Sequence, residues 1–164
     1  MPAPDSHLPQ HTVRPDGSLD LHASTVALPG AGGAPAAGVM LFGPTGSGKS
    51  ELALELMALG ACLVADDRTL VAPMPGGGLV ASAPAVLHGL IEARGIGIMR
   101  VEALPSARLY LAVDLGKRET ERLPPERSID ILGVSLPLLH AVESRAFPAA
   151  LLPYLRQVST GASP

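Results

Sequence analysis

The chain has 164 residues, 47% of them hydrophobic, and this length and apolar share predict one domain with its own core. The formal net charge of -3 excludes a broad basic surface, so we expect no nucleic-acid partner, and any phosphate has to bind at a local site. The chain has neither a secretory signal pattern nor an apolar run near the roughly 20 residues that span a bilayer, so we expect no membrane partner and a cytoplasmic location.

The first segment is rich in proline and polar residues without a periodic pattern, which predicts a disordered leader over residues 1–18. His7 and His11 lie within it, but a proline-broken segment does not hold two side chains in place, so we expect no metal site there. Residues 19–28 (LDLHASTVAL) mix β-branched and apolar side chains and predict a strand or a pair of strands. Residues 29–38 (PGAGGAPAAG) predict a flexible loop.

A strand, a helix and a second strand are predicted next. Residues 38–42 (GVMLF) form a short apolar run, as in a strand that is covered on both faces. Residues 49–59 (KSELALELMAL) have leucines at helical spacing among strong helix formers, and residues 61–65 (ACLVA) form a second apolar run. The order predicts a βαβ unit with a right-handed crossover and parallel strands, and hence a sheet that is at least partly parallel.

The segment between the first of these strands and the helix, residues 43–50 (GPTGSGKS), matches the phosphate-binding pattern G-x-x-x-x-G-K-[ST]. Glycines allow backbone N–H groups to surround phosphates, and the helix N-terminus adds a favourable dipole. Lys49 is expected to reach the β- and γ-phosphates and the Ser50 hydroxyl to bind Mg²⁺. The predicted nucleotide-binding residues are Gly43, Pro44, Thr45, Gly46, Ser47, Gly48, Lys49 and Ser50.

Two acidic residues, Asp66 and Asp67, directly follow the second predicted strand. A helix of about 11 residues is about 16 Å long, and a returning strand of about five residues covers the same distance. Both carboxylates are therefore expected near the phosphate loop, at the carboxyl end of the sheet. One can serve Mg²⁺, for which we favour Asp66, and Asp67 can act as the base on an acceptor hydroxyl. The alternative is a solvated acidic turn.

The remaining elements are expected in the following order: a hairpin over residues 68–80, a helix over 85–94, a turn and strand over 95–101, a strand over 108–115, a charged and exposed segment over 117–127, an apolar segment over 131–139, and a weak helix over 147–158 broken at Pro148 and Pro153. Glu92 and Arg94 lie among apolar residues before a Gly-x-Gly turn. If such charges are buried or face a cleft, they need a metal, a phosphate or each other. An ion pair between the two residues is the alternative to a functional role.

The phosphate loop, the aspartate pair and the segment HGLIEARGIGIMRV together resemble the catalytic domain of HPr kinase/phosphorylase, a bacterial family that phosphorylates a serine of the phosphocarrier protein HPr. The resemblance covers about residues 19–145. It implies an α/β P-loop domain of the HPr kinase / PEP carboxykinase-like type with a mixed central sheet, over residues 19–158, and a flexible tail over 159–164. It also implies ATP and Mg²⁺ as cofactors, HPr or an HPr-like carrier as partner, and a homo-hexamer.

The resemblance also implies roles for single residues. His22, which as a lone histidine in a strand is more often structural, becomes an active-site histidine, and Lys49 becomes catalytic. Asp67 becomes the proton acceptor in phosphorylation and the donor in the reverse step. The same comparison gives three further sets: Ser50 and Glu92 as Mg²⁺ ligands, Arg122 as a later catalytic arginine, and Ile91, Arg94, Gly95 and Gly97 within a segment used in both reactions.

The chain departs from the family pattern in residues 137–145 (PLLHAVESR), which keep only Pro137 and Arg145 of a Pro-Val-x-Pro-Gly-Arg stretch important for dephosphorylation. We therefore expect a regulatory ATP-dependent serine kinase, with the phosphorylase activity less well supported. The short segment before His22 resembles the short form of the family found in some proteobacteria. Two alternatives stay open: a P-loop kinase of a small molecule, and an ATP-binding regulatory sensor with little catalysis.

Overall fold

The computed structural model describes residues 7–161. Its elements follow one another as β1 (His11–Val13), β2 (Leu19–Leu21), β3 (Ala23–Leu28), β4 (Ala37–Phe42), α1 (Lys49–Ala58), β5 (Cys62–Ala65), β6 (Thr69–Pro73), β7 (Leu79–Ser82), β8 (Leu90–Ala93), β9 (Gly97–Arg100), β10 (Ala107–Arg118), β11 (Ser128–Ile131), β12 (Val134–Ala141) and α2 (Phe147–Ser159). Neither helix is long and apolar enough to cross a membrane.

The central sheet is mixed, as predicted, and the long strand β10 lies at its centre. On one side it pairs in parallel with β4, with Asp114 opposite Phe42. On its other side it pairs antiparallel with β7 near its start and in parallel with β12 near its end, where Asp114 lies opposite His140. The carboxyl ends of three neighbouring strands therefore meet at one edge of the sheet, the edge where open α/β sheets bind ligands.

The predicted βαβ unit is correct in direction but wrong in neighbours. Strands β4 and β5 run parallel to each other, yet β3 lies between them and pairs antiparallel with both. Strand β3, which a short connection joins to β4, takes the place beside β4 that β5 was expected to occupy, and β5 lies at the edge of the sheet. As a result, the start of β3 lies at the same edge of the sheet as the ends of β4 and β5.

The two faces of the sheet are covered differently. Helices α1 and α2 cover one face, where Leu56 and Leu155 pack with Leu41 and Leu111 in one buried cluster. On the other face, Met40 packs in a second buried cluster with residues of β2, β6, β7, β11 and β12. Successive side chains of β4 and β10 point to opposite faces, which explains why both strands read as continuous apolar runs.

The helix predicted over residues 85–94 is wrong. Only a short 3₁₀ turn, Ala85–Leu87, is helical there, and β8 pairs with β9 as a separate two-stranded hairpin. Gly89 has a φ of 75°, a left-handed conformation that ends the turn before β8. Along β8, Ile91 and Ala93 are buried and Glu92 is exposed, which is the alternation of a strand.

Helix α2 forms over the expected segment, but the two prolines do not break it. Pro148 lies in the first turn, where a helix does not need the missing N–H group. Pro153 lies inside the helix on its exposed side. The helix buries the side chains of Leu151, Leu152 and Leu155. The free energy of this packing exceeds the cost of the one helical hydrogen bond that Pro153 cannot form.

The disorder predicted for residues 1–18 does not hold for β1, which pairs antiparallel with β2 and places His11 opposite Leu21. The first six residues of that leader lie outside the described residues, as do residues 162–164 of the expected tail. Within residues 7–161, no group of three or more histidine, cysteine, aspartate or glutamate side chains could hold a metal. Residues 19–28 form two strands, β2 and β3, which pair with other strands and not with each other, and the hairpin over 68–80 is confirmed as β6 paired with β7.

The segment over residues 117–127 is exposed as expected except at Glu119 and Arg127, whose side chains form a largely buried ion pair. His140 lies nearby on β12, and its Nε2 atom is buried without a hydrogen-bond partner among the described residues. Burial lowers the pKa of His140, and the positive charges of Arg127 and Lys117 lower it further, whereas Asp114 and Glu119 oppose this effect. The folded protein therefore favours the neutral imidazole.

We expect the free energy of unfolding to fall as the pH drops below about 6.5, because His140 then takes up a proton in the unfolded chain before it does so in the folded one. The loss ends once the pH is below the folded-state pKa. Urea unfolding of the wild type and His140→Gln between pH 8 and 5 would measure it, and the variant should have the flatter profile. Identical profiles would contradict the expectation.

Candidate active site

The phosphate loop follows β4 directly and leads into α1, which begins at Lys49. Gly43, Gly46 and Gly48 have φ values of 149°, 83° and 94°, which glycine adopts at little cost and other residues do not. These conformations carry the backbone over the N-terminus of α1. The unpaired N–H groups and the dipole of the helix favour an anion there, as the sequence pattern predicts.

The end of β10 supports this loop from behind. A Cβ atom on Gly116 would lie 2.9 Å from Pro44 Cδ and 3.1 Å from Asp114 Oδ1, and one on Gly43 would lie 2.9 Å from the Gly116 nitrogen. The Asp114 carboxylate accepts a hydrogen bond from the Gly116 N–H at 2.8 Å. Asp114 therefore fixes the backbone on which the phosphate loop rests.

Gly116→Ala is expected to weaken the binding of inorganic triphosphate by about tenfold or more, because the added methyl group pushes Pro44 away from its position. The φ of Gly116 is not in the left-handed region, so the variant introduces a steric contact without backbone strain. Calorimetric titration with inorganic triphosphate would measure the effect. Unchanged affinity in a normally folded variant would show that the loop tolerates the displacement.

Lys49 is buried, with 7% of its surface exposed. Its ammonium donates hydrogen bonds to the carbonyl oxygens of Gly43 at 3.0 Å and Pro44 at 3.1 Å. Burial lowers the pKa of Lys49, and the negative charges of Asp67 and Asp66 partly oppose that effect. The ammonium is thus held inside the loop, where a phosphate would contact it.

Asp66 is buried, with 6% of the residue exposed, and its carboxylate joins three elements of the site. Its Oδ1 atom accepts hydrogen bonds from the hydroxyls of Ser24 and Ser50, both at 2.7 Å, and its Oδ2 atom accepts one from the Glu92 N–H at 3.1 Å. These bonds tie the end of β5 to β3, α1 and β8. Asp66 therefore orients the first turn of α1 and the hairpin together.

Ser50 and Asp66 bring a hydroxyl and a carboxylate oxygen into direct contact beside the phosphate loop. Mg²⁺ prefers oxygen ligands, keeps several waters and needs only one or two carboxylates next to substrate phosphates, so this pair fits the ion. Glu92, the third predicted ligand, contacts Asp66 through its backbone, and its side chain is exposed. Glu92 would reach a Mg²⁺ ion at Ser50 and Asp66 only through a water or after a small movement of its side chain.

Asp67 turns the other way, and its side chain is 66% exposed. Its φ of 65° is in the left-handed region, so a turn after β5 separates the two carboxylates. The Asp67 N–H donates to the Ser24 hydroxyl at 3.3 Å, and the Asp67 carbonyl accepts from the Ala23 N–H at 3.1 Å. Such conformations cost about 1–3 kcal/mol and are concentrated at functional sites.

His22 lies in the break between β2 and β3, with its Nδ1 atom 3.5 Å from Asp67 Oδ1. The inserted position of β3 brings this histidine to the phosphate loop. Its Nε2 atom is buried and has no hydrogen-bond partner among the described residues. A cavity of about 320 Å³ opens here, lined by His22, Gly43 and Thr45 among others.

Sequence reasoning missed Asp114 and Lys117, two charged residues that line this cavity. The signal that could have found Asp114 is a carboxylate near the end of an otherwise apolar predicted strand, RLYLAVDL. Its importance depends on the pairing of that strand with β4, which is not visible in the sequence. Asp114 is buried, whereas Lys117 is exposed.

The other predicted residues do not contact the phosphate loop directly. Ile91 is buried under the hairpin, whereas Arg94, Gly95 and Gly97 are exposed at its turn. Glu92 and Arg94 are both exposed and form no ion pair within residues 7–161. Arg122 is exposed between β10 and β11, and in the described part of the chain it makes no hydrogen bond or ion pair with the site.

A glycine-rich loop between a buried parallel strand and a helix, with a serine–aspartate pair beside it, defines a P-loop domain of the α/β class. The chain belongs to a particular family of this class, the HPr serine kinase C-terminal domain, whose family model matches residues 21–139. The resemblance stated from the phosphate loop, the aspartate pair and the IEARGIGI segment is thereby confirmed.

Curated relatives carry the name HPr kinase/phosphorylase. The protein of Caldicellulosiruptor bescii is 40% identical over 114 residues, which are 62% of this chain and 37% of that relative. The protein of Lactiplantibacillus plantarum is 43% identical over 99 residues, 58% of this chain and 31% of the relative. This chain thus spans about a third of the length of the curated relatives it matches.

A solved structure gives the same fold. The HPr(Ser) kinase/phosphatase of Coxiella burnetii superposes with a TM-score of 0.69 at 24% sequence identity, covering 87% of this chain and 91% of that chain. At this identity the match concerns the fold alone. It confirms the predicted α/β P-loop domain of the HPr kinase type with a mixed central sheet.

Proposed function

We propose that this chain is a regulatory protein-serine kinase that transfers the γ-phosphoryl group of ATP to a serine of HPr or an HPr-like phosphocarrier protein, in the cytoplasm. The observation that carries the proposal is the position of Asp67. Its carboxylate is 66% exposed, lies 3.5 Å from His22 and follows the Asp66 carboxylate that contacts the phosphate loop. A base at an open edge suits an acceptor hydroxyl presented by another protein.

Each residue of the site has its own role in the proposed reaction. The serine hydroxyl attacks the γ-phosphorus of ATP, its proton passes to the Asp67 carboxylate, and the bond to the β-phosphate oxygen breaks to release ADP. Lys49 binds the phosphates, and His22 orients the Asp67 carboxylate. Ser50 and Asp66 would hold Mg²⁺, which would neutralise charge on the phosphates. We also propose that Glu92 and Arg122 take part in the reaction, and their exposed side chains would have to move towards the phosphates to do so.

The proposed site favours kinase chemistry over simple hydrolysis, because the exposed carboxylate is suited to accept a proton from a hydroxyl. The reverse reaction would use Asp67 as the proton donor. The names of the relatives include that second activity, and we propose the forward reaction as the principal one for this chain. The hexamer implied by the resemblance stays a prediction that light scattering of the purified protein would test.

The test is incubation of the purified chain with γ-labelled ATP, Mg²⁺ and a panel of HPr-type carriers. The expected result is label on a carrier serine and none on the same carrier after that serine is replaced by alanine. Label on a small metabolite in place of the carrier would identify a small-molecule kinase. Tight ATP binding without transfer to any acceptor would identify a nucleotide sensor.

A further inference from the structure

A second cavity, of about 230 Å³, lies on the other side of the phosphate loop. Its lining includes Ser47, Gly48, Glu51, Leu115, Val142 and Phe147. None of the roles proposed above uses Leu115, Val142, Phe147 or the carboxylates of α1. The cavity is formed by the end of β10, the end of β12 and the first turns of α1 and α2.

The two cavities divide the phosphate loop between them. Gly43, Pro44 and Thr45 line the cavity that contains His22, whereas Ser47 and Gly48 line the second one. Strand β10 is divided in the same way, with Asp114 in the first cavity and Leu115 in the second. Because neighbouring strand residues point to opposite faces of the sheet, the cavities open on opposite faces of it.

This division gives the bound triphosphate a direction. The transfer end has to lie near His22 and Asp67, on the side of the first cavity. The other end of the triphosphate, which carries the nucleoside, then leaves the loop at Ser47 and Gly48. The second cavity begins at those two residues.

The wall of the second cavity suits a flat aromatic base. The chain has only two phenylalanines and no tryptophan, and Phe42 is buried in the core. Phe147 is half-buried at the cavity, next to the exposed apolar side chain of Val142. A volume of about 230 Å³ is below the roughly 300–1,000 Å³ of pockets that enclose whole drug-sized ligands, so it fits a base with the remainder in solvent.

The mouth of the cavity carries two carboxylates, Glu51 and Glu55, one turn apart on α1. Both are exposed and neither has an ion-pair partner within residues 7–161. Glu51 lies in the first turn, where a negative charge favours the helix dipole, but like charges at this spacing repel, so helix stability does not explain Glu55. Carboxylates accept hydrogen bonds from hydroxyl groups, which the ribose of a nucleotide supplies.

We propose that this second cavity is the nucleoside subsite of the phosphoryl donor, with the base stacked on Phe147 and the ribose hydroxyls facing Glu51 and Glu55. The inference rests on the proposed function, because it assigns the nucleotide end of the same donor. It predicts that the protein distinguishes ATP from inorganic triphosphate, which has the phosphates but no base.

The test is calorimetric titration of the full chain with ATP and with inorganic triphosphate, both in the presence of Mg²⁺. We expect ATP to bind about tenfold or more tightly than inorganic triphosphate, as base stacking on one aromatic side chain allows. Phe147→Ala should lower the ATP affinity to that of inorganic triphosphate and leave the latter unchanged. Phe147→Leu keeps apolar volume without an aromatic face and covers the case in which the alanine variant does not fold.

Tyr154→Ala is the matched control, because Tyr154 is also a half-buried aromatic residue of α2 that packs on the same core cluster as Phe147 but does not line the cavity. It should leave the affinity ratio unchanged. Equal affinities for the two ligands in the wild type, an equal loss of both in Phe147→Ala, or no binding of either would overturn the inference. A failed kinase proposal looks different: ATP binds through Phe147, yet no carrier is phosphorylated.

Discussion

Asp67→Asn is expected to reduce phosphoryl transfer to a carrier serine by about 10²–10⁴-fold and to leave the affinity for ATP nearly unchanged. The amide has the shape of the carboxylate but does not accept the proton of the serine hydroxyl. Asparagine also tolerates the left-handed backbone that Asp67 adopts at a φ of 65°, so the turn after β5 should be preserved. Loss of activity would then report the chemistry and not a local unfolding.

Single-turnover transfer from labelled ATP, together with calorimetric ATP binding, would measure both effects. Asp130→Asn is the control, because Asp130 is another exposed aspartate, on β11 and outside the cavity beside the phosphate loop. It should have wild-type activity. Full activity of Asp67→Asn would remove Asp67 from the mechanism, and a parallel loss of ATP binding would make it a binding residue.

Much of the phosphate site could be predicted because its information is local. The apolar run before Gly43, the glycines themselves and the leucines after Lys49 specify a strand, a loop and a helix within one continuous segment. The positions of Asp66 and Asp67 could be predicted from the lengths of the elements, because a helix and a short strand return the chain to the edge of the sheet where the helix began. That estimate needs no knowledge of which strands are neighbours.

The errors arose where strand pairing between distant segments decides the structure. Residues 85–94 contain good helix formers, but pairing of β8 with β9 and the glycines at either end favour a hairpin. The insertion of β3 between β4 and β5 is also non-local, and it brings His22 to within 3.5 Å of Asp67. Asp114 and Phe147 gain their positions only through the strand order around β10.

Several residues of the site lower the stability of the folded protein. Asp67 adopts a left-handed backbone, Lys49 carries a charge that burial disfavours, and His22 has a buried ring nitrogen without a partner among the described residues. Each feature costs free energy in the folded state, and each belongs to a group to which we assign a role at the phosphates or the acceptor. Stability and activity should therefore respond oppositely to some substitutions.

Lys49→Met is the sharpest case, and we expect transfer to fall by about 10²–10³-fold while the melting temperature stays the same or rises. Because burial lowers the pKa of Lys49, the folded state disfavours the charged form, and this cost is present at every pH below the folded-state pKa. Methionine has a similar length without the charge. The carbonyl oxygens of Gly43 and Pro44 that lose their donor lie in an exposed or half-exposed loop, where water can replace it.

Thermal unfolding with and without ATP, combined with the labelled transfer assay, would measure both parts of this prediction. ATP should raise the melting temperature of the wild type more than that of Lys49→Met, because only the wild type binds the phosphates through the ammonium. Arg156→Met removes an exposed positive charge on α2 and should change neither property. A marked fall in the melting temperature of Lys49→Met with transfer intact would mean that the lysine stabilises the loop and has no part in the reaction.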